Sequence, residues 1–136
     1  MAEIDLLFVY GTLRSSTGDG MHPLLGMAVF VGEAWWCGRL YLVDSYPGAV
    51  PDETCSSRVA GELYRLSHTS QALAALDAYE ECGPPYGADA EYVRTVTRVT
   101  LSDGTELDAW IYLYNRPVGG LTLIDSGDFC NHRQGA

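Results

Sequence analysis

Residues Tyr92 to Tyr114 read YVRTVTRVTL, SDGT, ELDAWIYLY. Two β-rich runs, Tyr92–Leu101 and Glu106–Tyr114, flank Ser102-Asp103-Gly104-Thr105, and Asp-Gly between such runs is the strongest short-range hairpin signal a sequence carries. In the second run Leu107, Ala109, Ile111 and Leu113 alternate with Glu106, Asp108, Trp110, Tyr112 and Tyr114. A period of two means two faces. One is aliphatic and belongs in a core; the other is aromatic and polar and fits either a surface or a cavity wall.

Outward from this hairpin, the other strand signals lie upstream. Ile4–Tyr10 is a short apolar run stopped by Gly11, which reads as a buried strand. Trp35–Val43 and Val59–Leu66 are further strands, each with an internal glycine, Gly38 and Gly61. A glycine inside a strand marks a bulge or a close backbone approach, as where sheets bend into barrels. Between Ser67 and Glu80 the period changes. Ala72, Leu73, Leu76 and Tyr79 fall at helical steps with Thr69 or Ser70 as N-cap, and Gly83-Pro84-Pro85 forbids continuation. Strands, one helix and a terminal hairpin, without a βαβ repeat, give an α+β chain. No linker or internal repeat divides residues 1–136, so a single domain is expected.

Composition narrows the function classes. The 136 residues are 47% hydrophobic and 19% charged, a globular mixture. Eight basic against eighteen acidic residues leave a net charge of −10, and every basic residue is Arg. Such a surface repels phosphate backbones and anionic lipid, so neither nucleic acid nor membrane is an expected partner. Without Lys there is no Schiff base and no P-loop. A small-molecule substrate remains. The acidic start Met1-Ala2-Glu3-Ile4-Asp5 is unlike a signal peptide, so a cytoplasmic location is expected. In that compartment Cys37, Cys55, Cys82 and Cys130, none in a CxxC pair, are expected to be free buried thiols. Cys130-Asn131-His132 is the one tight Cys/His pair and lacks further ligands, so no metal is expected.

Two segments carry candidate chemistry. Tyr10-Gly11-Thr12-Leu13 follows a buried strand, and consecutive N–H groups in a glycine turn suit a carboxylate or an oxyanion. On spacing alone the favoured reading is an ordinary strand-ending turn. Leu76-Asp77-Ala78-Tyr79-Glu80-Glu81 ends the expected helix. There the helix dipole and neighbouring carboxylates both raise a carboxyl pKa, toward the range of a general base. Asp77 and Glu81 read as solvated acids; for Glu80 the pattern leaves surface and site open.

Taken in order, Val9-Tyr10-Gly11-Thr12-Leu13, Val59-Ala60-Gly61-Glu62-Leu63-Tyr64 and Leu76-Asp77-Ala78-Tyr79-Glu80 are joined by Tyr92-Val93-Arg94, Ala109-Trp110-Ile111-Tyr112 and Ser126-Gly127-Asp128-Phe129. Together they resemble the gamma-glutamylcyclotransferase superfamily, above all its short bacterial members and the gamma-glutamylamine cyclotransferases. The resemblance implies a small mixed β-barrel with a few peripheral helices. It also implies that the Tyr10–Leu13 loop binds the glutamyl head of the substrate, with Glu80 as acid/base. The stretch Glu81–Glu91 is longer than the usual link of that family and borders the implied site.

The implied reaction is a cyclisation that needs no cofactor. The α-amine of a γ-glutamyl amine or amino acid attacks its own γ-carbonyl, closing 5-oxoproline and releasing the amine. The rival reading is a binding module of the same fold that holds a small carboxylate or γ-glutamyl ligand without turnover. A cysteine amidase built on Cys82 is disfavoured, because Glu80 and Glu81 raise a thiol pKa, and no GxSxG elbow supports a serine hydrolase.

Overall fold

The computed structural model describes residues 4–10, 28–43, 47–66, 73–74, 92–124 and 127. They form seven strands: β1 (Leu6–Val9), β2 (Val29–Leu42), β3 (Pro47–Pro51), β4 (Arg58–Arg65), β5 (Tyr92–Leu101), β6 (Glu106–Tyr114) and β7 (Thr122–Leu123). The neighbour order β3-β2-β4-β1-β6-β5 closes on itself through a β2–β5 pairing. Five strands, β2, β4, β1, β6 and β5, thus make a closed barrel, and β3 and β7 pair with the far half of β2. All pairings are antiparallel except β1 with β6, where Leu7 stands beside Trp110.

The hairpin expected at Ser102–Thr105 forms with β5 and β6 in register from Tyr92↔Tyr114 to Thr100↔Glu106. Gly104 takes φ 95°, a conformation open to glycine without a Cβ penalty. The aliphatic face of β6 points inward: Ala109 and Ile111 join Leu6, Phe8, Leu40, Val59, Leu63 and Val99 in the barrel core. Burying each large side chain in such a core contributes about 1.5–3 kcal/mol. The one indole in that core, Trp36, donates from Nε1 to Thr97 Oγ1 at 2.9 Å.

The other face of β6 divides: Glu106 and Asp108 are exposed, whereas the aromatic residues that follow belong to a second packed layer. Tyr112 is buried there with Leu7, Val9, Tyr64, Leu66, Leu73 and Tyr92, and Trp110 and Tyr114 pack against them. Leu73 and Ala74 are helical, and Leu73 is buried in this layer; the remainder of the helix expected between Ser67 and Glu80 lies outside the described residues.

Three expectations change. Peripheral helices are not met among the described residues, which are strand and turn apart from Leu73 and Ala74. Much of this chain goes instead into long strands such as the fourteen-residue β2. Neither Gly38 nor Gly61 is a bulge; the register shift of β2 against β4 falls between Phe30 and Gly32. Gly61 is the close backbone approach that was the other expectation, a Cβ there falling 2.3 Å from the Val9 carbonyl oxygen, and both glycines leave room for an aromatic ring, Trp36 over Gly38 and Phe8 over Gly61.

Finally, Cys37 and Cys55 are not free thiols but a disulfide. Pairing of β2 with β3 and β4 brings their Cα atoms to 4.8 Å, within bridging range, although 18 positions separate them in sequence. No helix of the described residues is long and apolar enough to cross a membrane.

Candidate functional site

Because β1 and β6 run parallel, Tyr10 and Tyr112–Tyr114 emerge at the same end of the barrel, where the antiparallel β4 and β5 begin. Tyr10 turns into the core beside Phe8, ring centroids 6.5 Å apart, and its hydroxyl donates to the Tyr112 carbonyl across the parallel pair. A buried phenol needs such a partner, and this one ties the end of β1 to β6. The point at which the chain leaves β1 is therefore fixed. Gly11, Thr12 and Leu13 themselves, and Glu80, lie outside the described residues.

Three other motif segments meet Tyr10 at this end. Gly61 stands beneath the end of β1, where a Cβ would fall 2.3 Å from the Val9 carbonyl oxygen, so any side chain would push β1 and β4 apart. Gly127, at φ 68°, accepts from the Ala60 N–H at 2.7 Å, and a Cβ there would lie 1.8 Å from the Arg58 carbonyl. Gly127 is thereby held against the start of β4. From β5, the Tyr92 hydroxyl donates to the Pro47 carbonyl at 2.7 Å, anchoring β3, and its ring meets Tyr114 edge-on at 5.8 Å. Arg94 holds its guanidinium 4.4 Å over the Trp110 ring, a cation–π contact.

Reading by pattern passed over one residue. Glu62 is 3% exposed, directly opposite Val9 on one side and Glu33 on the other, and its Oε1 accepts from the Tyr64 hydroxyl at 2.9 Å. Within Val59–Tyr64 its signal was present: it is the one charged residue in an otherwise apolar stretch of strand. An acid buried next to the strand end that launches the first glycine turn is a functional candidate by position.

The second buried acid, Asp52, is of another kind. Its carboxylate accepts from the backbone N–H groups of Thr54, Ser56 and Ser57 and from the hydroxyls of Thr54 and Ser56. The Thr54 and Ser56 hydroxyls, with those N–H groups, hold its pKa down to about 2 from 3.8. Among the described residues no group of three or more His, Cys, Asp or Glu is arranged to hold a metal ion.

Against known proteins, residues 7–131 match the family model described as gamma-glutamyl cyclotransferase, AIG2-like. The chain is 37% identical over 129 residues to the gamma-glutamylcyclotransferase family protein ytfP of Citrobacter rodentium, covering 94% of this chain and 97% of that one. The solution structure of ytfP from Escherichia coli superposes with a TM-score of 0.63 at 35% identity, over 94% of this chain and 98% of the other. An AIG2-like protein from Mus musculus shares the fold, with a TM-score of 0.67 at 22% identity over 93% of this chain and 90% of that one. With a family match running from β1 past β7, and relatives aligned over nearly their whole length, the chain belongs to the AIG2-like gamma-glutamyl cyclotransferase family.

Proposed function

We propose that this protein converts a γ-glutamyl amine or γ-glutamyl amino acid to 5-oxoproline and the free amine. In this reading the Tyr10–Leu13 loop holds the glutamyl head, and Glu80 moves the protons. The observation that carries the reading is Tyr10. It follows β1 with its ring in the core and its hydroxyl on the Tyr112 carbonyl, so the chain toward Gly11 starts from a fixed point at this end of the barrel. The family match spans both that loop and Glu80.

The chemistry suits a small rigid barrel. Nucleophile and electrophile share one molecule, so the protein chiefly has to fold the substrate. Orientation of this kind is worth about 7 kcal/mol or more of barrier. The α-amine, of pKa about 8, is mostly protonated at neutral pH, whereas an ordinary Glu titrates at about 4.3. Proton transfer between them is uphill by roughly 5 kcal/mol, and burial or a neighbouring acid narrows that gap. Once Glu80 has accepted the proton, the amine nitrogen attacks the γ-carbon, and the C–N bond to the departing amine breaks as Glu80 returns the proton to it.

The test is release of 5-oxoproline from γ-glutamyl amines, γ-glutamyl amino acids and γ-glutamyl-lysine isopeptide. Glu80→Gln is expected to stay folded and to lose on the order of 100-fold or more in turnover. A Gln variant that keeps most of its activity removes Glu80 from the chemistry. Tight ligand binding with no product from any of these compounds turns the reading to a binding module.

A further inference from the structure

The Cys37–Cys55 bridge joins two environments that differ in the way reversible exchange requires. Cys37 is partly buried in β2, opposite Arg58 of β4. Cys55 is exposed at the tip of the turn between β3 and β4 and takes φ 54°, left-handed for a residue with a Cβ. The turn does not depend on the bridge for its shape. Asp52 collects its five donors within it, the Cys55 N–H donates to the Asp52 carbonyl, and the Asp52 and Gly38 N–H groups tie both turn ends to β2. With the sulfurs parted, these bonds keep Cys55 next to Cys37, so the pair re-forms without a search.

Charge sets the direction of opening. Cross-strand partners share a face, so Arg58 flanks Cys37, and Arg39, two residues along β2, lies on that face as well. The acids facing them are Asp52, 3.9 Å from Arg39 with both oxygens already taking hydrogen bonds, and Glu53. A thiolate leaving from Cys37 departs on a strand face that carries Arg39 and Arg58, the Arg58 guanidinium lying 4.0 Å over the Trp35 ring of that same face, whereas Cys55 is exposed to solvent.

We propose that Cys37–Cys55 is a reversible thiol-exchange site for small-molecule thiols, opened at Cys55. A thiolate attacks Cys55 Sγ, the Cys37–Cys55 bond breaks, and its electron pair goes to Cys37 Sγ, which takes up a proton. A second thiol attacks the mixed disulfide and frees the Cys55 thiol. The net change is one bridge reduced to two thiols and two small thiols oxidised to their disulfide. The proposal is independent of the cyclotransferase reading.

The probe is 2-mercaptoethanol with its disulfide, which carries no γ-glutamyl group. The full chain is equilibrated across a range of ratios, quenched with iodoacetamide and mapped by peptide mass. Expected is conversion of Cys37 and Cys55 to alkylated thiols at millimolar reductant with the far-UV circular dichroism unchanged, and full return of the bridge once the reductant is withdrawn. A bridge that opens only when denaturant unfolds the barrel, or a barrel that unfolds when the bridge opens, overturns the proposal. In the parent chain, brief exposure to 2-mercaptoethanol followed by acid quench is expected to trap the mixed disulfide on Cys55 with Cys37 as the free thiol, read by peptide mass. The adduct on Cys37 instead overturns the assignment of Cys55 as the sulfur attacked.

Discussion

Asp52 and Glu62 are the two acids buried among the described residues, one in the turn before β4 and one in the middle of that strand. Asp52 is buried by its own donors. Its oxygens organise the N–H groups of a turn that would otherwise go unpaired, so the carboxylate is part of how the chain changes direction. Glu62 does nothing of the kind. It lies in a regular ladder with β1 on one side and β2 on the other, where backbone groups pair without help and an apolar side chain would fit the layer of Leu7, Val9 and Tyr64. One acid is wrapped by the turn it organises; the other sits within a strand, opposite Val9 at the end of β1. The difference separates a structural carboxylate from a candidate for function in the same short stretch of chain.

The strongest way to break this comparison is to remove Glu62 in two steps. Glu62→Leu takes the carboxylate acceptor away from the fully buried Tyr64 hydroxyl, which costs about 1–3 kcal/mol. At about 4 °C per kcal/mol for a chain of this size, Tm is expected to fall by about 4–12 °C. Glu62→Leu with Tyr64→Phe removes both ends of the bond and is expected to recover most of that loss, because replacing both partners by apolar groups is nearly neutral. Thermal melts of the three proteins check this. The double variant then supplies a folded protein without the carboxyl. Its loss of 5-oxoproline release would assign Glu62 to the site, and full activity would reduce Glu62 to a packing partner of Tyr64.

These residues also show what the amino-acid order reveals. The β5–β6 hairpin was legible to its ends, because alternation and Asp-Gly are local signals. Pro47–Pro51 was not: five residues with proline at both ends read as loop, and only pairing to β2 makes them a strand. The first half of β2 escaped for a similar reason. Val29 and Phe30 are exposed, and the shift before Gly32 breaks the alternation that identifies a strand. Tyr10 was found because Gly11 marks the end of its strand. Glu62 carries a linear signal, a lone charge among apolar strand residues, but its burial between β1 and β2 emerges only from the pairing of three strands. For Cys37 and Cys55 the separation says nothing, and the Asp52 turn says everything.

A smaller effect sharpens the other half of the comparison. The pKa of Asp52 is lowered, so its bonds stabilise the fold fully above about pH 4, the ordinary carboxylate range. That stability is lost as pH falls through the folded value of about 2. Asp52→Asn is therefore expected to melt below the parent at pH 7 and to converge with it near pH 2. Amide exchange at Thr54, Ser56 and Ser57 should quicken in the variant while β4 stays protected. A variant that melts lower by the same amount at every pH would mean that shape rather than charge holds the turn.

The smallest effect belongs to Asp103, which makes the same kind of bond in the open. In the β5–β6 turn its Oδ1 accepts from the Thr105 N–H at 2.9 Å, and this bond, followed by one from the Thr105 side chain, lowers its pKa. Asp103 is exposed on the hairpin tip, where water competes for every donor it satisfies. Its contribution has the same sign as that of Asp52, present above the ordinary carboxylate range and lost on acidification, but solvent leaves little of it. Asp103→Asn is expected to shift Tm by far less than Asp52→Asn at pH 7. The turn retains Gly104 at positive φ and the Gly104 N–H bond to the Leu101 carbonyl. If the two variants lose equal stability, burial is not what gives Asp52 its weight, and the contrast between a carboxylate wrapped by its turn and one merely resting on it fails.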